Sequence, residues 1–256
     1  MKIRKIVGDD VVFIYPDMET VLVGRFEKGQ MIAAKQSKIS SERCYRGIKE
    51  IRIAKPKPGR PSLKYQRPDR LRIGDQPRVM DPYTKKNIYI GEGRKDDGVF
   101  AKTNITKGHL VMYYSGLFWN TNEQALLTME THHNQTWEEY WNVFRNWMAF
   151  DGTLTIHIPE PYWNISNFRS TLGHKVNHSF KYANTAFGKV FHPRFGNIKC
   201  LYTKADITKG EEILVNYGFW VGTIVPSWVS DVYVKEMGKE WYNRTKRNNQ
   251  QFGCGK

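Results

Sequence analysis

Between Val11 and Gln36, in "VVFIYPDMETVLVGRFEKGQMIAAKQ", apolar and polar residues alternate on either side of the turn-forming "YPDMET" and "EKGQ". A period of two interrupted by Pro, Asp and Gly predicts two or three short antiparallel strands, a small β unit over residues 1–40. The alternation then lapses. From Lys55 to Arg78, "KPKPGRPSLKYQRPDRLRIGDQPR" holds eight basic residues, two acidic ones and five prolines. Such a composition cannot bury enough apolar surface to offset the entropy of ordering, so residues 41–78 are expected to form a basic linker or insert. Its Gly-Arg-Pro centre resembles a minor-groove AT-hook, a pattern that a solvated linker shares.

After "MDPYTKKNIYIGEG" the strand-like pattern returns, and two segments echo each other: "NITKGHLVMYYSG" from Asn104 and "DITKGEEILVNYG" from Asp206. In each, Thr-Lys-Gly forms a turn that launches an apolar strand ending in tyrosine near a glycine. So short an echo favours a recurring hairpin over an internal duplication. Between them, "TWEEYWNVFRNWMAF" spaces Trp137, Tyr140, Trp141, Phe144 and Met148 by three and four residues, which predicts a helix with one aromatic face. The segment "SWVSDVYVKEMGKEWYNRTKR" also predicts helix, with a basic tail, and the remainder predicts short strands and turns. The chain is therefore expected to be mainly β.

At 256 residues with 40% hydrophobic positions, one large domain with a smaller satellite fits the length. Forty Lys and Arg against 25 Asp and Glu give a net charge of +15, which favours anionic company such as chromatin, RNA or acidic lipid. No segment reaches the length of a membrane span, and the N-terminal stretch lacks a signal-like apolar run, so the expectation is a soluble, intracellular protein. Cys44, Cys200 and Cys254 lie too far apart for a paired motif and argue against both a disulfide framework and structural zinc.

The stretch "LGHKVNHSF" places His174 and His178 four residues apart. A metal pair at that spacing needs a helix, which Gly173 disfavours, and no Glu stands between them as in zinc hydrolases. Ser179 is not in a Gly-x-Ser-x-Gly turn, so a hydrolase triad is equally unsupported. On these residues alone, a satisfied structural histidine is the ordinary reading.

The order of motifs changes that reading. "DDGVFAKTNITKG", "MYYSG", "LGHKVNHSF", "HPRFGNIKC" and "DITKGEEILVNYGFW" follow one another as in the SET-domain protein lysine methyltransferases, which this chain resembles over residues 79–230. "YPDMETVLVGRFEKGQMI" is similar to the MORN-type hairpin that precedes the SET domain in one branch of that family, whose members act on histone H3 and on non-histone proteins. The resemblance implies a SET fold of short strands in small sheets with a knot-like C-terminal crossing over residues 79–225, then a helical segment over 226–256. It implies S-adenosylmethionine as cofactor, no metal, a protein lysine as substrate with histone H3 as leading candidate, a monomer, and a nuclear or shared nuclear and cytoplasmic location. DNA or nucleosome contact through the basic linker belongs to the same expectation.

Carried over motif by motif, the resemblance gives Tyr217 as catalytic tyrosine, with Tyr114 beside it. Trp141, Phe187 and Phe219 complete an aromatic lysine channel, and Lys199 contacts substrate. Asp97, Gly98, Asn146, His174, Lys175, Asn177, His178 and Trp228 are the expected cofactor residues, with Trp228 on the adenine. Phe187 and Phe219 stand where the resembled branch has tyrosines. A missing hydroxyl at Phe187 makes room for a larger amine, which implies two or three methyl additions. Two other classes fit parts of the sequence: a catalytically weak SET domain serving as a chromatin-binding module, and a nucleic-acid-binding protein relying on charge.

Overall fold

A computed structural model describes residues 8–28, 30–45, 48–56, 62–65, 73, 76–94, 96–120, 147–151, 153–219 and 226–251. Fourteen strands dominate the described chain, arranged in sheets of four, three, five and two strands. The first sheet is an antiparallel meander of β1 (Gly8–Ile14), β2 (Thr20–Glu27), β3 (Gln30–Tyr45) and β4 (Ile48–Ile53). Its first turn is closed by Asp17, whose carboxylate accepts the Glu19 and Thr20 amides at 3.1 and 2.9 Å.

This β unit exceeds the expected two or three strands and runs past residue 40. β3 pairs with β2 over its first half and with β4 over its second, from Ile39 to Tyr45. No residue from Lys38 to Glu42 is buried, so this end of the sheet is solvated on both faces and rests on backbone hydrogen bonds. A sheet edge of that kind carries no hydrophobic alternation for the sequence to display.

Within the basic stretch the described residues 62–65, 73 and 76–78 include contacts to the first sheet. Leu63 is buried and pairs with Ala34 through two backbone bonds of 2.9 and 2.7 Å. The Gln76 side chain accepts from the Lys64 amide and donates to the Ser62 carbonyl. The stretch lacks apolar surface of its own and takes its partners from the sheet beside it.

A second, larger unit follows. Helix α1 (Pro82–Asn87) leads into the hairpin β5 (Ile88–Glu92) and β6 (Asp97–Ala101). β7 (Leu110–Tyr114), β12 (Thr185–His192), β13 (Gly196–Thr203), β11 (Asn177–His178) and β14 (Leu214–Val215) form the five-stranded sheet in the order β11-β14-β12-β13-β7. β8 (Leu117–Asn120), β10 (Leu154–His157) and β9 (Trp147–Ala149) form the three-stranded one. Met148, expected on a helix, lies on β9; the rest of the aromatic stripe, Trp137 to Phe144, lies outside the described residues. The C-terminal segment is helical as expected, in α2 (Ser227–Met237) and α3 (Lys239–Gln251).

The two Thr-Lys-Gly echoes lie side by side. Ile105 and Ile207 exchange both backbone bonds at 2.8 Å, and each turn is capped by the other segment: Asn104 accepts the Lys209 amide and Asp206 the Lys107 amide. Gly108 and Gly210 take φ of +81° and +87°, which favour glycine at both turns.

One face of the five-stranded sheet packs on the N-terminal unit. Tyr15, Leu22, Phe26 and Met31 share a core with Tyr83, Tyr113, Phe195, Ile198 and Cys200. At its edge lies a buried polar cluster. The Tyr15 hydroxyl donates to Asp81 Oδ2 at 2.5 Å, and Asp81 Oδ1 caps α1 by accepting the Tyr83 and Thr84 amides at 3.1 and 3.0 Å. His192 Nε2 lies 3.2 Å from Asp81 Oδ2, off the line of a good hydrogen bond. Arg194, fully buried, donates to the carbonyls of Val79 and Gln76.

Candidate active site

The opposite end of the five-stranded sheet brings the most distinctive motifs together. Asn184 pins β14 by accepting the Leu214 amide at 2.8 Å and donating to the Glu212 carbonyl at 2.9 Å. β14 then pairs in parallel with β11, setting Asn177 opposite Leu214 and His178 opposite Val215. Beyond Val215 the chain turns at Gly218, whose φ of +83° is a left-handed conformation that glycine accepts without strain. That turn returns Tyr217 to β11: its amide donates to His178 Nδ1 at 3.1 Å and its hydroxyl to the Val176 carbonyl at 2.6 Å.

Rings converge on His178. Phe180, Tyr217, Phe219 and Trp228 lie 4.3, 5.0, 5.9 and 5.9 Å from it, centroid to centroid, with Trp228 supplied by α2. His174, on the short 3₁₀ turn Gly173–Lys175, sits between Phe168 at 5.4 Å and Tyr114 at 6.4 Å. Burial holds both imidazoles neutral. The His174 pKa is lowered to about 3, with Lys175 adding to the effect. Burial takes that of His178 to about 4, against a smaller pull from the Glu236 carboxylate and the Val215 carbonyl. Burial likewise drives the Tyr114 phenol well above its ordinary value, with Tyr217 contributing.

Both ring nitrogens of His174 and Nε2 of His178 are buried without a hydrogen-bond partner. A buried polar atom left unpaired costs about 1–3 kcal/mol, so orphaned nitrogens on these two histidines suit a ligand that brings its own donors and acceptors.

Two carboxylates that sequence reasoning did not single out organise the segment. Glu212 accepts Asn177 Nδ2 at 2.9 Å, and a Cβ at Gly98 would stand 2.6 Å from its Oε1, so a side chain there would push the Glu212 carboxylate aside. Glu236, on α2, accepts Ser179 Oγ at 2.8 Å and the amides of Phe180 and Lys181 at 2.8 and 3.0 Å. Arg94, in the β5–β6 turn, joins the two, with Nε 3.4 Å from Glu212 and Nη1 3.7 Å from Glu236. Glu212 lies inside the "EEILVNYG" motif and was legible in part; Arg94 and Glu236 belong to no motif.

Of the expected site residues, Tyr217, Asn177, His178, Phe219 and Trp228 are brought into one cluster, with Gly98 reaching it through Glu212. Tyr114 shares a second cluster with Phe168 and the half-buried Phe187. Lys199 lies opposite Tyr114 on β13, Asp97 is exposed at the start of β6, and Lys175 ends the 3₁₀ turn. Trp141 and Asn146 lie outside the described residues. Among the described residues, no group of three or more His, Cys, Asp or Glu is disposed to hold a metal ion. No helix among them is long and apolar enough to cross a membrane.

Comparison with known proteins bears on the same segments. Residues 96–218 match the SET domain family model, and residues 4–46 match the model described as histone H3 K4-specific methyltransferase SET7 N-terminal. The histone-lysine N-methyltransferase SETD7 of Halocynthia roretzi is 29% identical over 224 residues, which cover 83% of this chain and 52% of that protein. The chain thus spans about half the length of that curated relative. The crystal structure of CpSET8 from Cryptosporidium is 23% identical, with a TM-score of 0.38 over 52% of this chain and 57% of that one, too slight a likeness to bear on the fold.

Proposed function

We propose, from the match of residues 96–218 to the SET domain family model, that the protein is an S-adenosylmethionine-dependent protein-lysine N-methyltransferase. The observation that carries the reading is the position of Tyr217, hydrogen-bonded to the residues on either side of Asn177: to Val176 through its hydroxyl and to His178 through its amide. When bound, S-adenosylmethionine supplies an electrophilic methyl group on a sulfonium. His174, Lys175, Asn177, His178 and Trp228 hold it, with Asp97 and Gly98 on the facing hairpin.

A lysine must lose its proton to attack, yet in water its pKa of about 10.4 keeps it charged at pH 7. Tyr114 and Phe187, packed with Phe168, exclude water from the approach and disfavour the ammonium form. The Tyr217 hydroxyl gives its hydrogen to the Val176 carbonyl, which turns its oxygen toward the site as an acceptor that can orient an amine N–H. With its hydrogen given to that carbonyl, Tyr217 works by position and electrostatics. Phe187 leaves no hydroxyl to crowd a methylated amine, so product with two or three methyls is expected. Histone H3 is the leading candidate among substrates, with a nuclear setting to match.

The test is incubation of the purified protein with labelled S-adenosylmethionine and a panel of histones and peptides, read by mass spectrometry. Tyr217→Phe is expected to lower turnover about 100-fold while costing about 1 kcal/mol of stability for one lost hydrogen bond. Unchanged turnover in that variant refutes the role of Tyr217, and monomethyl product alone at long incubation refutes the role of Phe187.

A further inference from the structure

The strand register places Tyr114, Lys199 and Lys189 in one row across β7, β13 and β12, and Met112, Leu201 and Phe187 in the next. Directly opposed side chains share a sheet face. Both lysines therefore rise from the face that carries Tyr114 and Phe187, while Tyr113, Cys200 and Val190 on the other face pack against the N-terminal unit. Like charges opposed across a ladder destabilise it, so the pair needs a reason.

The protein does not neutralise it. Neither ammonium makes an ion pair or hydrogen bond among the described residues, and Lys189 Nζ instead lies 5.0 Å from the Phe150 ring centroid. Lys199 is half-buried; burial and then Lys189 lower its pKa, against Cys200 and Asp151. Asp151 is the carboxylate that acts on both lysines, but its Oδ1 is committed to its own turn, accepting Thr153 N, Thr153 Oγ1 and Leu154 N at 2.8, 2.9 and 2.8 Å. Two positive charges with one negative neighbour, Asp151, thus lie beside the face that carries Tyr114 and Phe187.

Resting on the methyltransferase reading above, we infer that the Lys189–Lys199 pair selects substrates in which an anionic side chain, carboxylate or phosphate, flanks the target lysine. The anion supplies the missing counter-charge and anchors the peptide beside Tyr114. A lysine set among arginines and lysines meets repulsion at the same place, so among candidate segments those with an anionic side chain near the target lysine are favoured.

The experiment uses fluorescein-labelled peptides with one lysine, differing only in neutral, aspartate, phosphoserine or arginine residues at each flanking position. Binding is read by anisotropy and turnover by mass spectrometry. At 0.1 M salt an anionic flank at one or two positions is expected to tighten binding about tenfold over the neutral peptide, and the gain is expected to fade at 1 M, where the screening length shrinks to about 3 Å. Aspartate and phosphoserine arms tell the two anions apart. Lys189→Glu is expected to abolish the gain of the anionic peptides over the neutral one and to favour the arginine peptide. Equal affinity for anionic and neutral peptides, or a preference that Lys189→Glu leaves intact, overturns the inference. Turnover of no peptide overturns the methyltransferase reading instead, and the anisotropy ratio still decides the role of the lysine pair.

Discussion

Replacing Asp81 with alanine tests whether the buried polar cluster holds the N-terminal unit to the larger unit that follows it. The carboxylate does three jobs without any exposed surface. It caps α1 through the Tyr83 and Thr84 amides, accepts the Tyr15 hydroxyl from the other unit, and balances the buried Arg194. Losing an N-cap costs about 1 kcal/mol, and stranding a buried hydroxyl about 1–3 kcal/mol. Leaving Arg194 uncompensated adds a cost that can itself reach about 3–5 kcal/mol, so the loss is a large share of the roughly 5–15 kcal/mol that holds a typical domain together. For a chain of this size each kcal/mol is worth about 2–4 °C, so calorimetry should show Asp81→Ala melting about 10 °C or more below the parent. Asp81→Asn keeps the cap acceptor and should cost less. A cycle with Tyr15→Phe isolates the cross-unit bond, with an expected coupling of about 1–2 kcal/mol. Additivity of the two single changes to within about 0.5 kcal/mol, or an Asp81→Ala protein as stable as the parent, would refute the reasoning.

Acid should act on the same cluster and on the site. Burial opposes ionisation of Asp81, but His192, the Tyr15 hydroxyl and the Thr84 amide outweigh it and hold its pKa below the usual value, so its contribution is complete above about pH 4 and is lost as pH falls through the folded value. The His174 and His178 pKa values, about 3 and 4, lie below the unfolded value of about 6.5, so the unfolded chain binds more protons in between and stability falls from pH 6.5 downward. Each ring should remove about 2 kcal/mol by pH 5, and urea titrations showing flat stability from pH 7 to 5 would contradict this. Glu236→Ala strands the Ser179 hydroxyl and the Phe180 and Lys181 amides. It is expected to weaken S-adenosylmethionine binding about tenfold by calorimetry, with partial rescue by Glu236→Gln; unchanged affinity would mean that α2 does not shape the pocket.

The sequence was most legible where a function depends on contiguous residues. The Asn177–His178 motif and the Tyr217 motif are readable as motifs, and the fold supplies only their parallel pairing. The Thr-Lys-Gly turns were readable as turns but not as partners, because the Asn104 and Asp206 caps act across about a hundred residues. The full extent of the first sheet was hidden because its outer end is wet on both faces. Leu63 and Gln76 were hidden for a related reason: a polar, proline-rich stretch advertises solvent, and only the neighbouring strand reveals that it is held. Arg94 and Glu236 left no trace at all, since an ion pair joining a hairpin to a late helix obeys no local period.

The mutual capping of the two Thr-Lys-Gly turns has a kinetic consequence. Neither turn is complete alone, and the Ile105–Ile207 bridge closes a loop of about a hundred residues, an entropic toll of about 4 kcal/mol before any reward. Folding of this unit should therefore be slow, gated by one distant encounter, with the cluster around His178 and Tyr217 emerging only after that encounter. On a ribosome, the first half of the domain would have to wait for residue 207 to emerge before its own turn is finished.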